Sequence, residues 1–377
     1  MKVVALRETA PGEHRVAIVP DAARAFAKAG VELAVESGAG ERAGATDAAY
    51  ERVGIGVESD RAALLAGADF LLKVQPPGED ELTALRPGAV LISFLRPLDE
   101  PQRAAALAER GVTSFAMELI PRITRAQAMD ALSSQASLAG YRAVLLAAQG
   151  LGKVLPMMTT AAGTIAAGRL LVIGAGVAGL QAIATARRLG AIVEAYDTRP
   201  AVREQVESLG ARFIELPLDT ADAEGAGGYA KAQSEEFLAK QRALLGERVH
   251  AADAVITTAA VPGARAPLLI DEETVIGMKQ GSVIVDLAAA GGGNCALTQP
   301  DQPVVAHGVT IFGPTNLPSE AAVDASRVYA RNLANLLALL VKDGALHIDL
   351  EDEVVRGALL THESRVVADA VRARLGG

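Results

Sequence analysis

The sequence has no tryptophan, a single cysteine and only 3% aromatic residues in a length of 377. A lone thiol, Cys295, can form neither an intramolecular disulfide nor a paired-cysteine zinc or redox site, which fits a reducing compartment. With so few rings the core has to be built from Ala, Val, Leu and Ile, the composition that suits parallel sheets buried on both faces. Positive charge is short too: 36 Lys plus Arg stand against 45 Asp plus Glu, a formal net charge of −9. That balance argues against nucleic acid as a partner. Half the residues are hydrophobic and the mean hydropathy is +0.26. Even so, no run of about 18 apolar residues is free of charges, so no direct membrane span is expected. The opening, MKVVALRETAPGEHRVAIVP, carries charges early and lacks the apolar core of a secretory signal. The expected location is the cytoplasm.

What is present is alternation. Short apolar runs at 3–6, 31–35, 69–74, 90–95 and 112–116 are separated by Ala-rich helix-like segments at 21–29, 59–66 and 99–109. A second series of runs follows at 170–173, 192–196, 211–214, 254–258, 283–287 and 309–311. Together they predict an α/β fold of two doubly wound parallel-sheet (Rossmann-like) lobes. Residues 124–149 contain no Pro and one Gly, which predicts one long helix joining the lobes. A second helical stretch, 319–341, is expected to carry the chain back. The first lobe is then discontinuous, 1–132 and 318–377, and the second is 133–317. Within the return stretch, RNLANLLALLVKD (331–343) has the spacing of a packed core helix.

The clearest chemical signal is RLLVIGAGVAGLQAIATARRLGAIVEAYD, 169–197. An apolar strand runs into Gly174, Gly176 and Gly179 at G-x-G-x-x-G spacing, with Val177 and Ala178 opening a helix and a second strand ending at Asp197. The first glycine makes the turn, the second admits a pyrophosphate, and the third lets helix pack on strand. The helix N-terminus offers N–H groups to phosphate. Asp197, 18 residues after the last glycine, suits an adenosine ribose and repels a 2′-phosphate, so the expected cofactor is NAD(H). Arg199, beyond Thr198, is the one neighbour that would suit a 2′-phosphate. The alternative for the whole segment is a glycine turn with no ligand.

Polar groups also gather in MELIPRITRAQAMDALSSQASLAGYRA, 117–143. Arg122, Gln127, Asp130, Ser133 and Ser134 offer donors and acceptors of the kind that hold a carboxamide. The alternative is a solvated helix start with Thr124 as its N-cap. Around GGYAK (227–231), Gly225, Gly227 and Gly228 flank Ala226 just before Tyr229, a hinge-rich pattern that suits a lid; the plainer reading is an exposed aromatic beside a helix start. His14, His250, His307, His347 and His362 show no H-x-x-x-H spacing and read as surface or packing residues. Cys295 reads as a buried, inert thiol, and Asp286 as a hydrogen-bonding residue at a strand end. No metal site is expected.

Taken together, PRITRAQAMDALSSQ, the glycine fingerprint followed by YDTR, GGYAK, TTAAVPG (257–263) and DLAAAGGGN (286–294) resemble the NAD(H)-binding component of proton-translocating transhydrogenase. The resemblance runs over essentially the whole chain, and the 122–135 segment is its most specific part. It implies a dimeric component, peripheral on the inner membrane through partner subunits. Those partners are an NADP(H)-binding component and a membrane-spanning proton channel. By match to the motif, Arg122, Asp130 and Ser133 hold the nicotinamide end of NAD(H), and Gln127 reaches toward the nicotinamide ribose of NADP(H). Gly228 and Tyr229 match a mobile loop that closes over nucleotide. Direct hydride transfer between nicotinamides moves no proton on substrate, which suits the lack of an evident general base.

The competing resemblance is to alanine dehydrogenase. Arg15 in HRVAIVP and Lys73 in LKVQPP match positions that bind its substrate. Where that family places a catalytic His this chain has Arg96, and where it places a catalytic Asp this chain has Ala290. A third possibility is an NAD-sensing module without catalysis, in which Gln127 and the GGYAK segment would have no purpose.

Overall fold

The computed structural model describes residues 1–218, 234–261 and 263–376. Two units divide the chain, Met1–Gln135 with Pro318–Gly377, and Ala136–Leu317. The chain leaves the first unit within the helix Ala131–Gly150.

In the first unit six strands, β1 (Lys2–Ala5), β2 (Glu32–Glu36), β3 (Gly56–Glu58), β4 (Phe70–Leu72), β5 (Val90–Ser93) and β6 (Thr113–Ala116), are all parallel, in the order β3-β2-β1-β4-β5-β6. This is the doubly wound order, reversing between β1 and β4. Alternate residues bury to opposite faces. Val3, Phe70, Ile92 and Phe115 join one core cluster, and Val4, Leu71 and Leu91 another. Aliphatic side chains alone fill the second side, while the first gathers Phe70 and Phe115 with its aliphatics. Two features escaped the sequence reading. β3 is short, and beyond β6 the sheet continues antiparallel through Leu359–His362 and Arg365–Val366. That hairpin turns on Glu363 and Ser364, both at positive φ (48° and 58°). Glycine and asparagine are the usual signals for such a turn, and neither is there.

The long helix begins later than its composition predicts. Thr124–Met129 is a 3₁₀ turn, Asp130 breaks it at ψ 82°, and the α-helix starts at Ala131. Thr124 is not the cap: Ile123 stands at the N-cap of the 3₁₀ turn without a side-chain bond. Asp130 caps the α-helix instead, accepting the Ser133 N–H at 2.9 Å. A carboxylate at that place satisfies an orphan amide better than a continued helix would satisfy Asp130.

The second unit opens with a hairpin, β7 (Met158–Thr160) and β8 (Gly163–Ile165). Its sheet comprises β9 (Arg169–Ile173), β10 (Ile192–Tyr196), β11 (Arg212–Phe213), β12 (Ala254–Thr257), β13 (Val283–Asp286), β14 (Val304–Ala306) and β15 (Val309–Phe312). The order is β11-β10-β9-β12-β13-β15-β14, with β14 antiparallel to β15, and it reverses between β9 and β12. Two aliphatic cores again cover the faces, Val172, Ile256 and Val285 on one and Leu171, Val255 and Ile284 on the other. Among the described residues no helix is long and apolar enough to cross a membrane, and no cluster of His, Cys, Asp and Glu is arranged to hold a metal ion.

Candidate nucleotide-binding site

In a doubly wound sheet the ligand crevice lies beyond the carboxyl ends of the strands that flank the reversal. In the second unit those strands are β9 and β12, and β9 runs directly into the glycine fingerprint. Gly174 sits at φ +100°, and a Cβ there would lie 2.4 Å from Thr258 Oγ1. Thr258, just past β12, donates that hydroxyl to the Gly174 carbonyl at 3.0 Å and so ties the two strand ends together. Gly176 is the N-cap of the helix Val177–Arg188, and a Cβ placed on it would meet nothing within 4 Å. Gly179 is the reverse case, since its Cβ would stand 1.8 Å from the Gly174 carbonyl oxygen. Val177 and Ala178 open the helix, whose first N–H groups have no carbonyl one turn back. On the other side of Ala178, Gly140 of the long helix packs so closely that a Cβ would meet the Ala178 carbonyl at 2.0 Å.

Asp197, buried at the end of β10, belongs to the same loop. Its Oδ2 accepts the Ala175 N–H at 2.7 Å and Arg199 Nη2 at 2.8 Å, while Oδ1 accepts Arg199 N and Nε at 2.8 and 2.9 Å. Both oxygens are therefore fully used. Thr198 and Arg199 are half-buried beside it. Gly228 and Tyr229 lie outside the described residues.

Past β12 and β13 the glycine-rich segment is organised by residues whose role the motif alone does not reveal. Asp286, fully buried, accepts from Thr257 and Thr298 hydroxyls and from the N–H groups of Ala288, Asn294 and Cys295. Asn294 then exchanges bonds with Ala259 (3.0 and 2.8 Å) and donates to the Pro267 carbonyl. Asp286 is thus a hydrogen-bonding residue at a strand end, as read. Ala290 is in the 3₁₀ turn Ala289–Gly291. Cys295 is buried, and burial pushes its thiol up to about 11, so it stays protonated and unreactive.

In the first unit, Arg122, Gln127, Asp130 and Ser133 fall on one short stretch. Arg122 and Gln127 are exposed, Asp130 and Ser133 half-buried. Asp130 Oδ2 accepts the Ser133 hydroxyl at 2.6 Å in addition to the capping bond. Arg125 forms a two-armed pair with Asp352 at 2.8 and 2.7 Å, and Asp352 itself caps the helix Glu353–Ala358. Asn332 and Asn335, from the helix Ala322–Leu340, both donate to the Ala128 carbonyl. A pair of asparagines in the otherwise apolar NLANLLALL (332–340) was the available sign of this contact.

Arg15 and Lys73 are buried and already engaged. Arg15 donates to both oxygens of Glu13 (2.8 and 2.6 Å) and to Gln135 Oε1 at 2.8 Å. Burial works to raise the Glu13 carboxyl, yet Arg15 brings it down to about 2. Lys73 Nζ stands 3.2 Å from Glu8 and 3.0 Å from Glu81. Arg96 holds φ +50° and donates its N–H to Glu118 at 2.7 Å. Of the histidines, His307 pairs with exposed Glu272 at 3.0 Å and His362 meets Thr113 at 3.2 Å.

The alanine dehydrogenase/PNT N-terminal domain matches residues 4–139, and the alanine dehydrogenase/PNT C-terminal domain matches 143–369. The chain belongs to the alanine dehydrogenase/PNT family. Within it the likeness is to transhydrogenases. An NAD(P) transhydrogenase subunit alpha chain of Rhodospirillum rubrum is 49% identical over 379 residues, which cover 98% of this chain and 99% of that one. A solved transhydrogenase structure from Sinorhizobium meliloti matches with a TM-score of 0.88 at 44% identity, covering 97% of this chain and 100% of that one. Alanine dehydrogenase of Bacillus subtilis is more distant, 30% identical over 383 residues, covering 98% of this chain and 93% of that one. The resemblance read from the motifs is thereby borne out.

Proposed function

We propose that this chain is the NAD(H)-binding component of an NAD(P) transhydrogenase. In this reading hydride passes directly between NAD(H) held here and NADP(H) held on a partner component, and a membrane-spanning partner couples the transfer to proton translocation. The chain itself is then peripheral on the inner membrane, on its cytoplasmic side. The observation that carries the reading is the division of labour among the three glycines: Gly174 turns the chain, Gly179 packs against it, and Gly176 alone faces open space. A backbone kept bare where nothing in the protein needs the room fits close approach of a pyrophosphate.

NAD(H) supplies a nicotinamide that gives or accepts hydride. Gly176, Val177, Ala178 and Gly179 present helix N-terminal amides to phosphate. Asp197 is the acceptor for ribose hydroxyls, which gain their place by displacing Arg199 from a carboxylate that has no acceptor position to spare. Arg122, Asp130 and Ser133 serve the nicotinamide end, Gln127 serves the NADP(H) side, and Gly228 and Tyr229 close over the nucleotide. No residue is needed as a general base, because direct hydride transfer leaves no proton to move on the substrate. Amination of a 2-oxo acid would need one, and Arg96 and Ala290 cannot supply it.

A homodimer belongs to the same reading. Residues 154–168 carry no charge, and the hairpin within them is exposed along both strands, with Met157 at 68%, Met158 at 43% and Ile165 at 42%. A two-stranded ribbon is marginal in water alone and gains stability from a second surface.

Titrating the purified chain with NADH and with NADPH tests the reading. It predicts saturable NADH binding and NADPH binding weaker by at least about a hundredfold, the discrimination expected when a carboxylate meets a 2′-phosphate. Equal affinities would contradict it.

A further inference from the structure

The stretch bearing Gln127 and Asp130 is a tight turn, held by the two bonds of Ser133 to Asp130 and by the buried Ala126 and Met129. The 3₁₀ segment Thr124–Met129 ends at Asp130, the α-helix starts at Ala131, and the Asp130 N–H reaches the Gln127 carbonyl at 3.3 Å. Gln127 is exposed, so its place depends on the backbone that carries it. Across from the turn lies the helix Ala322–Leu340, whose buried face is mostly Ala and Leu. Asn332 stands in that face at 7% exposure. Its Nδ2 donates to the Ala128 carbonyl at 2.9 Å, and its Oδ1 accepts the Ser134 hydroxyl at 2.8 Å. Ala128 follows Gln127 and Ser134 follows Ser133, so one planar carboxamide grips both limbs of the turn around Asp130.

Burying an amide costs free energy that leucine at the same place would not. The fold has other means of satisfying these groups, since Asn335 also donates to Ala128 O at 3.0 Å and Ser134 also donates to Ala131 O at 3.1 Å. What those bonds do not supply is a rigid link between the limbs. We propose that Asn332 is a positioning residue for hydride transfer, setting Gln127 and Asp130 in register through this two-sided grip. The inference rests on the site reading above, in which Gln127 serves the NADP(H) side.

The test uses the full chain mixed with its NADP(H)-binding component. Asn332→Leu and Asn332→Asp remove the donor to Ala128, and the aspartate also sets a carboxylate against that carbonyl. Both should slow hydride transfer at least about tenfold, the scale expected of a misplacement well under 1 Å, while NADH affinity, to which Asp130 contributes beside the phosphate and ribose contacts, falls by clearly less than the rate does. Asn335→Ala, which leaves the grip intact, should transfer at close to the parental rate. If Asn332→Leu fails to fold, Asn332→Asp and Asn335→Ala carry the comparison. Combined with Gln127→Asn, Asn332→Asp should slow transfer little beyond the slower single change, because the two act through one element. Parental rates in the Asn332 variants, rate losses matched by equal losses of NADH affinity, or fully additive effects would overturn the inference. A slow Gln127→Asn beside fast Asn332 variants removes the inference alone, whereas a Gln127→Asn chain at the parental rate removes the site reading and the inference with it.

Discussion

Glycine spacing names a dinucleotide loop only as a class, and the structure separates three glycines with three different reasons to lack a side chain. Gly176 has φ −75° and open space where its Cβ would be, so alanine there strains nothing in the protein itself. Gly179→Ala drives a methyl into the Gly174 carbonyl. The two substitutions should therefore part fold from binding. Gly176→Ala should unfold within about 1 kcal/mol of the parent yet bind NADH at least tenfold more weakly, while Gly179→Ala should lose roughly 2 kcal/mol or more of stability. Urea unfolding beside NADH titration checks both, and a Gly176→Ala chain with parental NADH affinity would mean the bare backbone is not a pyrophosphate seat. At this scale the local geometry of Gly174, Gly176 and Gly179 was most legible, because their spacing follows from how a strand turns into a helix. It was least legible for Asn332, Asn294 and Thr258. Their roles depend on contacts far away in the chain, such as Asn332 with Ala128, and no local pattern announces those.

Elements show the same division. Buried parallel strands read clearly as aliphatic runs, because most of their positions are apolar and polar residues fall mainly at their ends. The helix start at Ala131 did not read, because it depends on the cap made by Asp130, and the hairpin of Leu359–Val366 did not, because non-glycine residues make its turn. A further consequence belongs to the loop after β5. Glu118 accepts the N–H groups of Leu95 and Arg96, and burial pushes its carboxyl up to about 7 against the pull of those amides and of the Arg96 charge. The folded protein thus holds this proton more tightly than the unfolded chain does. Its contribution to stability is present below the ordinary carboxyl range and is lost as pH rises through about 7. Relative to Glu118→Gln, the parent should lose stability between about pH 5 and pH 8, by at most about 3 kcal/mol. Denaturant unfolding of both chains across that interval reads the difference. A gap that stays constant with pH would show that Glu118 does not titrate there.

For the molecule as a whole, two doubly wound units could have meant a self-sufficient dehydrogenase. The chemistry of its residues argues otherwise. One glycine fingerprint is present, at Gly174–Gly179. Arg15 and Lys73 are held by Glu13, Gln135, Glu8 and Glu81, and in the proposed reading neither Arg96 nor Ala290 supplies a proton-transferring group. The chain is then expected to contribute one nucleotide and a share of a site that a partner completes. Hydride transfer from NADH to an NADP analogue tests this most directly, measured by absorbance with the purified chain alone and then with the NADP(H)-binding component added. The prediction is negligible turnover alone and rapid, saturable transfer in the mixture. Alanine-dependent reduction of NAD by the chain alone, or a mixture no faster than its components, would contradict it.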